Sequence, residues 1–155
     1  MTNTLLFVIA AFLLAAGMEV SGALKRLLDW LLERVRSTFT LISSTMAAGA
    51  VLISATSHGA VTALIVGNIF RQPYDRRELS RRNLSRSIED SVTIVEPLMP
   101  WTVSAVYMAT TLGVPTIYYA PWAVFCFGGP IFSLIYAATY DRTGFGLKRS
   151  VESSV

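Results

Sequence analysis

Charged residues are absent from three long stretches of this chain. No Lys, Arg, Asp or Glu lies in residues 1–18, 37–70 or 97–140, which are 18, 34 and 44 residues long. A helix needs about 20 apolar residues to cross the hydrocarbon core of a bilayer. The pattern therefore predicts an all-helical membrane protein with about three transmembrane helices. It disfavours a secreted toxin, a nucleic-acid binder and a soluble enzyme, although the net charge is +3.

The first uncharged stretch predicts a span over residues 2–24, interrupted only by Glu19 near its end. In the next segment, 25–36, leucines recur at helical spacing while the charged residues fall largely on the other face. An amphipathic helix of this kind is typical of the membrane interface. The alternative is an amphipathic linker that packs on a soluble partner.

The second uncharged stretch is too long for one crossing. Residues 38–70 would form a helix of about 50 Å, whereas the hydrocarbon core measures about 30 Å. Small and polar residues from Ser54 to Gly59 interrupt two apolar arms. Two structures fit: one over-long span, or a re-entrant helical hairpin whose tip lies at mid-membrane depth.

Basic segments predict the orientation of the chain. Residues 71–86 contain six arginines and only two acidic residues, so the positive-inside rule predicts a basic cytoplasmic loop. The segment 25–36 is basic too, and two cytoplasmic flanks require an even number of crossings between them, which favours the hairpin. The N-terminus is then outside, the tail 141–155 is cytoplasmic, and the protein is a multi-pass protein of the cell membrane.

The third region contains a discontinuous span over residues 84–113 and a final span over 116–140. Pro97 and Pro100 divide the first of these, because proline removes a backbone donor and clashes with the preceding turn. Non-helical backbone at membrane depth persists only where protein or a wet cavity surrounds it. Interrupted helices near the midplane are typical of transporters, since their termini and unpaired carbonyls bind ions. The predicted helix-break residues are Pro97, Pro100 and Gly59.

Carboxylates near the second break are candidates for ion binding. Burying Glu96 without a partner costs about 3 kcal/mol, which makes it a proton or cation site by default. If the first half-helix continues without change, Glu89, Thr93 and Glu96 form one stripe and Asp90 lies about a quarter-turn away. Contact with arginines in the headgroup region is the alternative for each carboxylate.

Polar residues at the hairpin tip complete the candidate site. His58, the only histidine, is of a residue type that exchanges protons in the physiological range, and a structural role is equally open. Serine and threonine hydroxyls offer neutral oxygens to Na⁺, although they also pack helices together. The predicted ion- and proton-binding residues are Thr56, Ser57, His58, Asp90, Thr93, Glu96 and Thr102, with Na⁺ at Asp90, Glu96 and Ser57.

Several short motifs resemble the carboxyl-terminal part of NhaC-type sodium/proton antiporters. They are Asn-Leu-Ser-Arg-Ser-Ile-Glu-Asp-Ser at 83–91, Pro-Leu-Met-Pro-Trp at 97–101, Gly-Val-Pro-Thr at 113–116 and Gly-Asn-Ile-Phe-Arg at 67–71. The resemblance covers nearly the whole chain and is strongest over 67–122. It implies one repeat of an inverted-repeat ion transporter, in which each repeat has a re-entrant hairpin and a discontinuous helix.

The resemblance implies Na⁺/H⁺ antiport, with Na⁺ and H⁺ as transported ions, no cofactor and no enzymatic activity. The family often has an acidic residue where His58 stands, Ser where Glu96 stands and Asn where Thr102 stands, which implies that one carboxylate has moved from tip to break. Related members exchange organic acids such as malate and lactate against cations, and this is an alternative function.

Length adds an expectation about partners. Such transporters need two repeats and 155 residues supply one. The chain is therefore expected to be a half or truncated transporter in the lipid bilayer, paired with a second polypeptide or with itself, and to bind no nucleic acid. The alternative is a non-transporting membrane subunit or remnant.

Overall fold

The computed structural model describes residues 13, 17, 20–143, 146, 147 and 149, and within them the architecture is all-helical without a strand. Most of the predicted first span, 2–24, and most of the tail, 141–155, lie outside the described residues. From residue 20 onwards the helices are α1 (Ala23–Glu33), α2 (Thr38–Thr56), α3 (Gly59–Arg76), α4 (Arg81–Ile88), α5 (Val103–Leu112), α6 (Thr116–Tyr119) and α7 (Val124–Thr143).

The second helix, α2, is the centre of the fold. It packs against α1, α3, α4, α7 and the π-helical turn that follows α4. Ser37 begins α2 with a reciprocal cap. The Ser37 hydroxyl accepts a hydrogen bond from the Thr40 backbone N–H, and the Thr40 hydroxyl accepts one from the Ser37 backbone N–H. Among the described residues, α2 is the single unbroken helix that is long and apolar enough to cross a membrane. Its fully buried side chains, which include Leu41, Ile42 and Leu52, form the middle of the core.

Residues 38–70 form a helical hairpin and not one over-long helix. The helices α2 and α3 are separated by Ser57 and His58 and pack against each other. Ser57 adopts a left-handed conformation with φ 57°, which ends α2 and turns the chain. Near the other end of the hairpin, the hydroxyls of Thr45 and Tyr74 are in contact. The break thus falls inside the predicted segment 54–59.

The predicted interfacial segment forms α1, and its apolar side packs on this same chain. Leu31 is buried, and Leu28, Leu32 and Val35 pack against the same hydrophobic cluster as α2 and α3. On the opposite side the Arg34 guanidinium lies 3.9 Å from the centre of the Trp30 ring. The apolar side of this amphipathic helix is therefore buried at least in part against the protein itself.

The predicted discontinuous span consists of α4 and α5 with a long irregular segment between them. A π-helical turn, Glu89–Thr93, continues α4, and a 3₁₀ turn, Glu96–Leu98, follows it. Thr102 then begins α5 by accepting a hydrogen bond from the Ala105 backbone at 3.3 Å. The basic segment 71–86 is largely helical, because α3 continues through Pro73 and α4 begins at Arg81.

The last predicted span, 116–140, is bent. The helix α6 and a 3₁₀ turn, Ala120–Trp122, meet α7 at an angle of 51°. Many large apolar side chains of α5, α6, the 3₁₀ turn and α7 are exposed, as is typical of a surface that contacts lipid or another protein. They include Val103, Tyr107, Leu112, Ile117, Trp122, Phe125, Phe132 and Ile135.

Candidate functional site

The two interruptions of the helices meet in the structure. The backbone N–H of Val103 donates to the Ser57 carbonyl at 3.2 Å. The indole N–H of Trp101 donates to the Ser54 carbonyl at 2.9 Å. These bonds connect the hairpin tip, residues 54–59, to the helix break, residues 96–102. We refer to this junction as the tip–break site.

Glu96 lies at the junction. It is 8% exposed, and its carboxylate packs directly against Gly59, the first residue of α3. A Cβ atom on Gly59 would overlap Glu96 Oε2, so the absence of a side chain there makes room for the carboxylate. The start of a helix carries a partial positive charge, and this position is electrostatically favourable for an anion.

Ser57 supplies a neutral oxygen at the same turn. It is 1% exposed, and its hydroxyl is, within the described part of the chain, the one buried side-chain polar atom with no hydrogen-bond partner. An unsatisfied buried hydroxyl costs about 1–3 kcal/mol. The hydroxyl is therefore available to a ligand in a way that the neighbouring hydroxyls are not.

The other predicted polar residues of the tip–break site already bond to protein. The hydroxyls of Thr56 and Thr62 bond to each other, and Thr62 also donates to the His58 carbonyl at 3.0 Å. The Thr102 hydroxyl contacts the carbonyls of Glu96 and Met99 at 2.6 and 2.9 Å. His58 is exposed. In this state Thr56 and Thr102 support the backbone of the site.

Asp90 is separated from this junction and faces α7. It is 8% exposed, and the Ser133 hydroxyl donates to its Oδ2 atom. The Nε atom of Arg86 lies 3.9 Å from the same oxygen. A Cβ atom on Gly129 would lie 3.0 Å from Asp90 Oδ1, so α7 approaches closely at that glycine.

The predicted stripe of Glu89, Thr93 and Glu96 assumed a regular α-helix, and the structure departs from it. The π-helical turn at Glu89–Thr93 changes the helical register, so Asp90 is buried while Glu89 and Thr93 are exposed. Thr93 nevertheless lines a cavity of about 450 Å³ together with Glu96 and residues of α5.

Sequence reasoning missed the contributions of α7. Ser133 and Gly129 contact Asp90, although about forty residues separate them along the chain. The Gly-Gly-Pro sequence at 128–130 marks a place where backbone can approach closely, but it does not reveal what approaches. The pairing with Asp90 follows from the packing of α7 against the π-helical turn.

A hairpin tip that meets a broken helix beside a buried carboxylate is an arrangement typical of secondary transporters. A family model described as the Na⁺/H⁺ antiporter family matches residues 1–139. The chain belongs to this family, and the family prediction from the motifs between residues 67 and 122 is confirmed. It is accordingly a membrane protein.

Named relatives agree with this assignment. The chain is 43% identical to an uncharacterized Na⁺/H⁺ antiporter of Haemophilus influenzae over 139 residues, which cover 90% of this chain and 30% of that protein. It is 35% identical to the Na⁺/H⁺ antiporter NhaC of Bacillus subtilis over 135 residues, covering 87% of this chain and 30% of the relative. The chain thus spans about 30% of the length of these relatives. No solved structure matches it.

A further relative is named for a different activity. The malate-2H⁺/Na⁺-lactate antiporter of Bacillus subtilis is 35% identical over 79 residues, which cover 51% of this chain and 17% of that protein. Its aligned part is shorter than that of the Na⁺/H⁺ antiporters above.

Proposed function

We propose that this chain contributes a cation- and proton-binding site to Na⁺/H⁺ antiport and that the tip–break site is where both ions bind. The observation that carries the proposal is the buried Glu96 carboxylate, packed on Gly59 next to a turn whose Ser57 hydroxyl has no partner. Membership of the Na⁺/H⁺ antiporter family supports the same ions.

The chemistry follows from burial of the carboxylate. A carboxylate out of contact with water is unfavourable unless a proton or a cation neutralises it. Glu96 can carry either one but not both, and this exclusion couples the two ions. When Na⁺ replaces the proton, the Ser57 hydroxyl offers an additional oxygen ligand.

We propose also that the chain acts as part of a larger assembly in the cell membrane. It spans about 30% of the length of the relatives with which it aligns. The cavity beside Glu96 is lined by Val103, Tyr107 and Met108, which belong to the exposed apolar surface of α5. A second polypeptide, or a second copy of this chain, covers that cavity from outside.

Sodium binding tests the site. We would purify the full 155-residue chain in lipid nanodiscs and measure binding of radioactive Na⁺ and release of protons. Glu96→Gln should abolish saturable Na⁺ binding at this site, whereas the matched exposed variant Glu89→Gln should leave it unchanged. Binding that persists unaltered in Glu96→Gln would exclude Glu96, and a wild-type chain without any Na⁺ binding would exclude a site held by this chain alone.

A second candidate function is cation-coupled exchange of organic acids. It is favoured by the relative named a malate-2H⁺/Na⁺-lactate antiporter and by the exposure of His58 at the tip. The same nanodisc assay separates the two functions. Malate or lactate that raises Na⁺ affinity, with the effect lost in His58→Gln, would favour this candidate over simple Na⁺/H⁺ exchange.

We propose that α2 and α3 form a re-entrant hairpin, with the N-terminus outside and residues 71–86 and the C-terminus in the cytoplasm. The uncharged part of α3, from Gly59 to Phe70, is about 18 Å long, less than the hydrocarbon core. Arg76→Cys, in a chain carrying Cys126→Ala, should react with an impermeant thiol reagent only from the cytoplasmic side. Labelling from outside would overturn the orientation.

A further inference from the structure

A second carboxylate centre lies between the π-helical turn and α7, apart from the tip–break site. Asp90 is at its base and a cavity of about 380 Å³ opens beside it. That volume is within the range of about 300–1,000 Å³ found for ligand sites. The cavity is lined by Arg86, Asp90, Phe125, Gly128, Gly129, Phe132 and Tyr136.

Arg86 lies in this cavity and is held loosely. Its Nε atom is 3.9 Å from Asp90 Oδ2, which is an ion pair but too long for a hydrogen bond. Its guanidinium carbon is 5.1 Å from the centre of the Tyr136 ring, which offers the cation a second favourable position. The Arg86 side chain is 45% exposed and that of Asp90 only 11%. The cation can therefore leave the carboxylate without disturbing the core.

We propose that Arg86 is a tethered cation that occupies the Asp90 centre, and that Na⁺ entering the cavity displaces it. This site is distinct from Glu96, so the two proposals can fail separately. The Asp90 carboxylate needs a positive neighbour because it is nearly inaccessible to water. Arg86 supplies that charge in the described conformation, and Na⁺ supplies it after displacement.

The remaining contacts of Asp90 suit such an exchange. Ser133 donates to Asp90 Oδ2 and keeps an oxygen lone pair that can coordinate a cation. Because Gly129 has no side chain, it does not cover Asp90 Oδ1. The carboxylate that the guanidinium now approaches thus lines the cavity, and the Ser133 hydroxyl bonds to that same carboxylate.

Competition makes a quantitative prediction. If Arg86 occupies the site for most of the time, the apparent Na⁺ affinity equals the intrinsic affinity multiplied by the small fraction of molecules in which Arg86 is displaced. Arg86→Gln should therefore bind Na⁺ more tightly, by about two- to fivefold, as expected for a partly exposed ion pair. We would measure this in the 155-residue chain carrying Glu96→Gln, which removes the tip–break site.

The control variant is Arg82→Gln, which removes an exposed arginine one turn earlier on α4 and should leave Na⁺ affinity unchanged. Arg86→Lys retains the charge and should keep the affinity low. Adding Asp90→Asn to Arg86→Gln should abolish the gain. Thermal unfolding without Na⁺ checks that every variant is folded.

Two results would overturn the proposal. One is Na⁺ affinity that is unchanged or weaker in folded Arg86→Gln. The other is a gain in affinity that survives Asp90→Asn, because the cation would then bind elsewhere. Neither result depends on Glu96, so the Na⁺ site proposed at the tip–break junction is judged by its own variants.

Discussion

The Glu96 carboxylate packs directly against Gly59, although the two residues belong to different interruptions of the helices. Together with the bonds from Trp101 to Ser54 and from Val103 to Ser57, this contact makes the hairpin tip and the helix break one structural unit. A substitution at the hairpin tip should consequently change the position of the Glu96 carboxylate.

Gly59→Ala tests that relationship. The added Cβ would overlap Glu96 Oε2 and push the carboxylate away, so we expect Na⁺ affinity to fall about tenfold or more. Stability should change by less than about 1 kcal/mol, because the end of a flexible side chain can move aside. The measurements are Na⁺ binding in nanodiscs and unfolding in denaturant.

The control for this variant is Gly67→Ala, in the middle of the same helix. Its Cβ would lie 3.7 Å from Ile88 Cδ1, an ordinary contact, and alanine stabilises a helix interior by roughly 0.5–1 kcal/mol. Equal losses of Na⁺ affinity in both variants would show that the effect of Gly59→Ala is not due to Glu96.

Gly49→Ala should destabilise the fold itself. The helix α2 approaches the π-helical turn so closely at Gly49 that a Cβ would overlap Ser91 Oγ and lie 3.0 Å from Val92 Cγ2. These neighbours are buried, and we expect a loss of about 1–3 kcal/mol in the free energy of unfolding. Gly128→Ala, with nothing within 4 Å of the added atom, is the matched control. A stable Gly49→Ala protein would mean that α2 and the turn can separate easily.

Thr102→Val should loosen the helix break. The Thr102 hydroxyl contacts the carbonyls of Glu96 and Met99 and accepts from the Ala105 backbone at the start of α5. Thr102→Val loses these bonds, including the cap on the Ala105 N–H, while both carbonyls keep a backbone N–H donor. We expect a cost of about 0.5–2 kcal/mol in unfolding free energy. Thr102→Ser keeps the hydroxyl and should retain most of the unfolding free energy that Thr102→Val loses.

The exposed residue Thr110 provides the comparison for Thr102. Its hydroxyl bonds to the Val106 carbonyl at 2.9 Å within α5, and Thr110→Val should change stability by less than about 0.5 kcal/mol. Similar losses for Thr102→Val and Thr110→Val would contradict a special role for the hydroxyl at the break.

Tyr74→Phe should change the alkaline limit of stability. Burial raises the pKa of Tyr74, which lies at the end of α3 in the basic segment 71–86, while hydrogen bonds from Ser87 and Thr45 act in the opposite direction. Because the folded state holds the phenolic proton more tightly than the unfolded state, the raised pKa of Tyr74 contributes to the free energy of unfolding. This contribution is fully present below pH of about 10 and decreases as pH rises further.

The phenylalanine variant lacks this titration, so its stability should decrease less steeply above pH of about 10. At neutral pH it should lose about 0.5–1.5 kcal/mol, since the Tyr74 hydroxyl bonds to Ser87 Oγ at 3.0 Å. Unfolding measured as a function of pH for both proteins checks this. Parallel curves would show that the pKa of Tyr74 is the same in the folded and unfolded states and is not raised by burial.

The places where the helices break could be predicted from local chemistry. Small polar residues at 54–59 and two prolines three residues apart, at 97 and 100, disfavour a regular helix, and the structure breaks at both. A single proline is not sufficient, since α3 continues through Pro73. The partners of Asp90 could not be predicted in this way. A π-helical turn depends on packing against α2 and α7, and it moved Asp90 into the interior while leaving Thr93 exposed.

The sequence by itself therefore determined the helical architecture, the two breaks and the family, because uncharged length, proline geometry and motif identity act locally along the chain. The tertiary structure alone decided which groups meet: Glu96 with Gly59, and Asp90 with Arg86 and Ser133. The reason is that contacts between distant segments depend on how close the backbones approach, and only packing fixes that distance.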